Sequence, residues 1–129
     1  MTASRKRVVL ESPYKGTDGN YPENRKYARR AVMGSLMRQE APIASHLLYT
    51  QPGILQDDIE TQRQWGIEAG HRWISVAEGV VFYCDRGMSA GMRDAEKIAK
   101  SLSVPVEYRW IDKVVYDPIA ERATLDPVS

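Results

Sequence analysis

Short apolar runs alternate along this chain with longer stretches in which apolar residues recur every three or four positions. Arg7-Val8-Val9-Leu10 reads as a buried strand, ended by the loop Glu11-Ser12-Pro13-Tyr14-Lys15-Gly16. Thr17 to Asn20 is polar and turn-like. A helix is predicted after it, because Asn20 can cap, Pro22 suits a first turn and Glu23 stands three residues after the cap. Tyr27, Ala28, Ala31, Val32 and Leu36 mark its inward side, and Arg25, Lys26, Arg29 and Arg30 are expected to form a solvated face rather than a phosphate site.

Ala41-Pro42-Ile43-Ala44-Ser45-His46 predicts a second strand, centred on Ile43–His46, with Pro42 at its start and His46 at its end. A loop from Leu47 to Gln56 leads to Asp57 and Asp58, which favour a helix N-terminus. Trp65, Ala69 and Trp73 then repeat every four residues beside Ile67 and Ile74, which predicts a helix with both tryptophans in the core. Gly79 to Cys84 is almost continuously apolar, as in a strand covered on both faces. The turn Asp85–Gly91 precedes a helix with Met92, Ala95, Ile98, Ala99 and Leu102 inward. Val104 to Trp110, centred on Val106–Trp110, predicts a fourth strand near an edge because of Pro105. Asp112 to Ser129 has room for one last strand or short helix before a polar end.

Strands alternating with helices through short loops predict a parallel sheet with helices on both faces and the first strand between the second and third. Such a sheet binds its ligand outside the carboxyl ends of the strands, where strand order reverses. The loops after Leu10 and Cys84 should therefore share one crevice.

At 129 residues the chain has the size of a single domain, 1–129. Its 18 Lys and Arg against 17 Asp and Glu leave a formal charge of +1, which removes the electrostatic argument for a nucleic-acid or membrane-surface partner. One cysteine, Cys84, excludes an internal disulfide framework and a multi-cysteine metal site. A zinc site built on His46 and His71 would need carboxylates to complete it. No apolar stretch has bilayer-spanning length, and the run Val8 to Leu10 after the basic start is no secretory core. A soluble, reducing, cytoplasmic setting is expected.

Gly87-Met88-Ser89-Ala90-Gly91 matches the G-x-S-x-G nucleophile elbow, but that hydrolase arrangement needs a histidine after the serine, and none follows His71. The same residues serve better without covalent chemistry. Gly87 and Gly91 allow close backbone approach, Ser89 can cap the next helix, and the first amides of that helix suit a 5′-phosphate or sugar hydroxyl. Carboxylates form the second constellation. Glu11, Asp85 and Glu68 could reach the strand ends, and Asp94 and Glu96 lie in the helix after the glycine loop. Glu68 stands out because Gly66-Ile67-Glu68-Ala69-Gly70 surrounds it with small residues, although an ion pair with Arg72 would also account for it. Tyr14 could stack on a base or bond a sugar, and His46 could line the pocket.

Glu11-Ser12-Pro13-Tyr14, the Ala77-to-Tyr83 strand with Trp73 in the helix before it, and Ser89-Ala90-Gly91-Met92 leading to Val104-Pro105-Val106 together resemble the nucleoside 2-deoxyribosyltransferase superfamily, most closely its small bacterial and phage members. The resemblance covers most of residues 7 to 110. It implies a flavodoxin-like (Rossmann-like) three-layer fold with a small parallel sheet of four or five strands, assembled as a homodimer or larger homo-oligomer. The implied activity is cleavage or transfer of the N-glycosidic bond of a nucleoside or nucleotide, without metal or organic cofactor.

Carried onto this chain, the resemblance makes Tyr14 and the loop holding Ser89, Gly91 and Met92 substrate contacts, and the residues themselves add Ser12, His46 and Gly87 to the expected set. The family's glutamate nucleophile falls at Ala95, between Asp94 and Glu96, and a one-residue offset turns a helical side chain by about 100°. The family aspartate seven residues ahead of Ala77 falls at Gly70, near Glu68 and His71. Catalysis is then expected from Glu68 or Glu96, with Asp94 as a further candidate and Asp85 or His71 protonating the leaving base. The alternative is a non-catalytic nucleotide-binding module that has lost the nucleophile.

Overall fold

A computed structural model describes residues 4–15, 20–111, 115–117 and 122–124, the last two segments as backbone. The elements run β1 (Lys6–Glu11), α1 (Tyr21–Met37), β2 (Glu40–Ile43), α2 (Ser45–Leu48), α3 (Glu60–Ile74), β3 (Gly79–Tyr83), α4 (Ala90–Ser101) and β4 (Val106–Arg109). The four strands form one sheet in the order β2-β1-β3-β4, every pair parallel. This is a flavodoxin-like α/β fold. Strand order reverses between β1 and β3, so those two carboxyl ends flank the switch point.

Alternation along the central strands divides the core into two layers. Val8, Leu10, Val81 and Tyr83 pack with Tyr27 and Ala31 of α1, and Val9, Val80 and Phe82 pack with Ile74 of α3 and Met92, Ala95 and Ala99 of α4. Every residue of β3 is buried, as its unbroken apolar run requires of a central strand. Each such side chain withdrawn from water contributes about 1.5–3 kcal/mol, which holds the helices on both faces.

Several boundaries and faces differ from the sequence-based expectation. The second strand is Glu40–Ile43 and ends before His46, because the Ala44 carbonyl accepts from the Leu47 and Leu48 amides at 3.0 Å and closes the chain into α2. His46 is therefore helical. Asn20 stands at the α1 N-cap without a side-chain cap bond, and Glu23 turns to Lys26 at 3.4 Å instead. The buried face of α1 runs through Asn24, Tyr27, Ala28, Ala31 and Ser35, while Leu36 is 42% exposed. Two polar residues can enter that face because Asn24 Nδ2 donates to the Tyr14 carbonyl at 2.7 Å and Ser35 Oγ donates to Glu40 Oε1 at 2.7 Å. Lys26, Arg29 and Arg30 are exposed, as a solvated face should be. Helix α3 begins at Glu60 rather than at Asp57, whose carboxylate accepts from the Tyr21 hydroxyl at 2.9 Å. Trp65 and Trp73 are 56% and 43% exposed and so lie outside the core, and Leu102, at the end of α4, is also exposed.

Edge strand β4 carries a charge the pattern does not announce. Arg109 is buried, paired bidentately with Glu40 at 2.8 and 2.6 Å and bonded to Glu107 at 2.8 Å and Tyr83 Oη at 3.1 Å. Burial pushes the Glu40 carboxyl up, but the bonds from Arg109 and Ser35 pull it below the usual carboxylate range. Backbone strands β5 (Val115–Asp117) and β6 (Arg122–Thr124) make a separate antiparallel pair within the Asp112–Ser129 region, whose other residues lie outside those described, as do residues 16–19 of the first predicted loop and turn.

Candidate functional site

A cavity of about 210 Å³ opens at the switch point. Glu11, Ser12 and Tyr14 reach it from the end of β1, Ser45 and His46 from α2, and Ser89–Met92 from the start of α4. One side of α3 forms the remaining wall through Arg63, Gly66, Ile67, Gly70 and His71. The loops after β1 and β3 thus share one crevice, as the alternation of elements predicted.

Helix α4 begins with a satisfied cap. Ser89 Oγ accepts from the Met92 amide at 3.3 Å, and the Ser89 amide is directed at Met92 Sδ at 3.4 Å. The expectation that the Met92 amide holds a ligand is therefore corrected: that N–H belongs to the cap, and the Met92 side chain is buried in the core. The Ala90 and Gly91 amides have no partner among the described residues. A Cβ at Gly91 would meet nothing within 4 Å, so that face is open. Gly87 does not line the cavity, and its φ of +85° marks the turn after β3.

The carboxylates sort differently from the sequence expectation. Glu68 is exposed on the side of α3 away from the cavity, and Arg72 donates to Ser75 rather than to it. The small residues around Glu68 serve packing instead, since a Cβ at Gly70 would fall 2.3 Å from Ser45 Oγ and one at Gly66 3.2 Å from Leu55. Asp94 is exposed. Glu96 accepts from the Tyr108 hydroxyl and pairs with Arg93 at 3.4 Å and Lys100 at 3.8 Å. Asp85 accepts from the Tyr27 hydroxyl and from the Ile111 amide at 2.8 Å, locking the β3 end to α1. None of these four lines the cavity, so the expectation that they meet substrate there is corrected. His71 does line it, with its pKa lowered by burial and partly restored by Asp94.

Glu11 does line it. It was one candidate among several in the sequence and was not favoured. Its carboxyl has no hydrogen bond or ion pair among the described residues, and burial alone pushes its pKa up to about 8. Asp57 and Arg63, 4.0 Å apart, also face the cavity. Sequence reasoning placed Asp57 only at a helix start and passed over Arg63, although the spacing of Arg63, Gly66, Ile67 and Gly70 on one helical face was available. Tyr14 sits edge-on to Tyr21 and to His46 at ring-centre distances of 5.2 and 6.2 Å. Among the described residues no group of three or more His, Cys, Asp or Glu is arranged to hold a metal ion, and no helix is long and apolar enough to cross a membrane.

The profile of one protein family, a domain of unknown function designated DUF7768, matches residues 6–109. No curated protein matches the chain.

Proposed function

The chain belongs to the DUF7768 family, and we propose, from the cavity rather than from that membership, that it is a cytoplasmic enzyme that cleaves or transfers the N-glycosidic bond of a nucleoside or nucleotide. One observation carries the reading: the carboxyl of Glu11 and the Ala90 and Gly91 amides, all unpartnered among the described residues, border the same cavity. The amides suit a sugar 5′ oxygen or phosphate. Glu11, holding its proton at neutral pH, suits general-acid work, because a raised carboxyl pKa matches the operating pH. As the C–N bond breaks, its electron pair goes to the base, which takes the Glu11 proton. Water or a second base then captures the oxocarbenium centre and gives up a proton to the Glu11 carboxylate, which restores the acid and gives hydrolysis or transfer. This assignment gives Glu11 the proton-donating role expected of Asp85 or His71, while Glu68 and Glu96, which do not line the cavity, take no part.

Incubating the protein with deoxynucleosides and their 5′-monophosphates should release free base, detectable by mass spectrometry. Glu11→Gln, which copies the shape of the protonated acid, should keep ligand affinity and lower turnover by about 10²–10⁴-fold. Wild-type turnover in Glu11→Gln would overturn the role of Glu11.

A second reading, a nucleotide-binding module without catalysis, is favoured by Ala95. That position, where the resembled superfamily carries its glutamate, packs in the core with Val9 and Ile74. Absence of base release together with measurable nucleotide binding would select it. The reading extends to assembly: a cavity of about 210 Å³ is below the roughly 300–1,000 Å³ of ordinary ligand pockets, which supports a homo-oligomer whose neighbouring subunit deepens the site. Light scattering giving a strict monomer at about 50 μM would overturn that part, because obligate interfaces persist far below this concentration.

A further inference from the structure

Beside Glu11, a serine and a histidine form a pair that the proposed chemistry leaves unused. Ser12 Oγ lies 2.7 Å from His46 Nε2, and both residues line the cavity. The other ring nitrogen, His46 Nδ1, is buried and has no hydrogen-bond partner among the described residues. Burial lowers the His46 pKa to about 4, so the ring is neutral and carries one N–H.

Two tautomers are open to a neutral imidazole, and they set the Ser12 hydroxyl in opposite senses. With the proton on Nδ1, an N–H would be buried without an acceptor, while Nε2 took the serine proton. With the proton on Nε2, the N–H donates to Ser12 Oγ and only a bare lone pair is left on Nδ1. Buried orphan N–H groups are the rarer of the two defects. Among the described residues Ser12 Oγ has no second partner, so its own proton then has no acceptor among them.

We propose that His46 is a positioning residue that fixes the Ser12 rotor, donating from Nε2 so that the Ser12 hydroxyl points its proton into the cavity at an acceptor oxygen of the ligand. The proposal rests on the cavity being the ligand site and adds a polarity to it. At this point of the wall the ligand must present an oxygen lone pair, and a donor group there would meet another donor.

The tautomer is read directly from long-range proton–nitrogen spectra of the ¹⁵N-labelled full chain, with His71→Gln to assign the two imidazoles. His46 should show a protonated Nε2 and an unprotonated Nδ1, and the reverse pattern overturns the proposal. Binding is read by calorimetry with the deoxynucleoside 5′-monophosphates as probes. Ser12→Ala and His46→Leu should each weaken binding about 5- to 10-fold, the range of one hydrogen bond, whereas His46→Gln, which keeps an N–H at the Nε2 position, should stay within about 2-fold of wild type. Ser12→Ala binding as wild type, or His46→Gln losing as much as His46→Leu, overturns the proposal. A wild type that binds none of the probes overturns the nucleotide reading instead, and the imidazole spectrum still decides the tautomer.

Discussion

Glu11 and His46 share one cavity wall, and burial moves both toward their neutral forms. Their contributions to stability run in opposite directions with pH. The folded Glu11 carboxyl keeps its proton up to about 8, against an ordinary value of 4.5, so between those values the native state binds more protons and stability falls as pH rises. His46 is depressed to about 4 from 6.5, so the unfolded state binds more protons in that window and stability falls as pH drops. Glu11→Gln removes only the first effect. Its melting temperature should exceed the wild-type value by several degrees at pH 8 and equal it at pH 4, since about 1 kcal/mol moves a domain of this size by roughly 3–6 °C. Equal shifts at both pH values in thermal melts would show that Glu11 is not held out of water. Residue type was legible here and environment was not: Glu11, Asp85 and Glu68 look alike in a sequence, and only the packing separates a free carboxyl from one locked to Tyr27 and one in solvent.

Two glycines on neighbouring helices make opposite demands. Gly70 lets α3 press against α2, where a Cβ would strike Ser45, and Ser45 is itself buried. Gly91 faces open space, so a side chain there costs the protein nothing in packing and no more helix propensity than glycine does. Gly70→Ala should therefore cost about 1–3 kcal/mol, seen as a lower melting temperature, while Gly91→Val melts at or above wild type and loses nucleotide binding because its side chain fills the space before the α4 amides. A Gly91→Val protein that binds normally would remove the α4 terminus from the site. The first, third and fourth strands were legible at this scale, because an unbroken apolar run such as Gly79–Cys84 has few other uses, whereas the second, expected at Ile43–His46, lies at Glu40–Ile43. Helix faces were read less well. Asn24 and Ser35 look like surface residues until Tyr14 and Glu40 are seen to satisfy them, and the four-residue repeat of Trp65 and Trp73 marks a helix without saying which side is wet.

For the molecule as a whole, the order β2-β1-β3-β4 does more to place the site than any motif. Topology, inferred from alternation alone, put the first and third strand ends together, and the cavity lies there. Arg109, by contrast, reads as an ordinary strand-end charge. It becomes a buried tie only once the sheet brings Glu40, which is far off in sequence, against it. Removing one member of such a pair strands the other without water, which is why the cluster fixes the relation of β2 to β4 across the sheet.

Trp73 gives the cavity an optical reporter. Its indole N–H donates to the Tyr49 hydroxyl at 2.9 Å, and Tyr49 lines the cavity, so the ring is half in solvent and tethered to the wall. A ligand that moves Tyr49 changes the polarity around an emitting indole without any label. Nucleotide titrations should alter the intrinsic fluorescence of the wild type and of Trp65→Phe but not of Trp73→Phe. A response that survives Trp73→Phe would trace the signal to another tryptophan. With that assignment in hand, occupancy could be followed by emission during turnover.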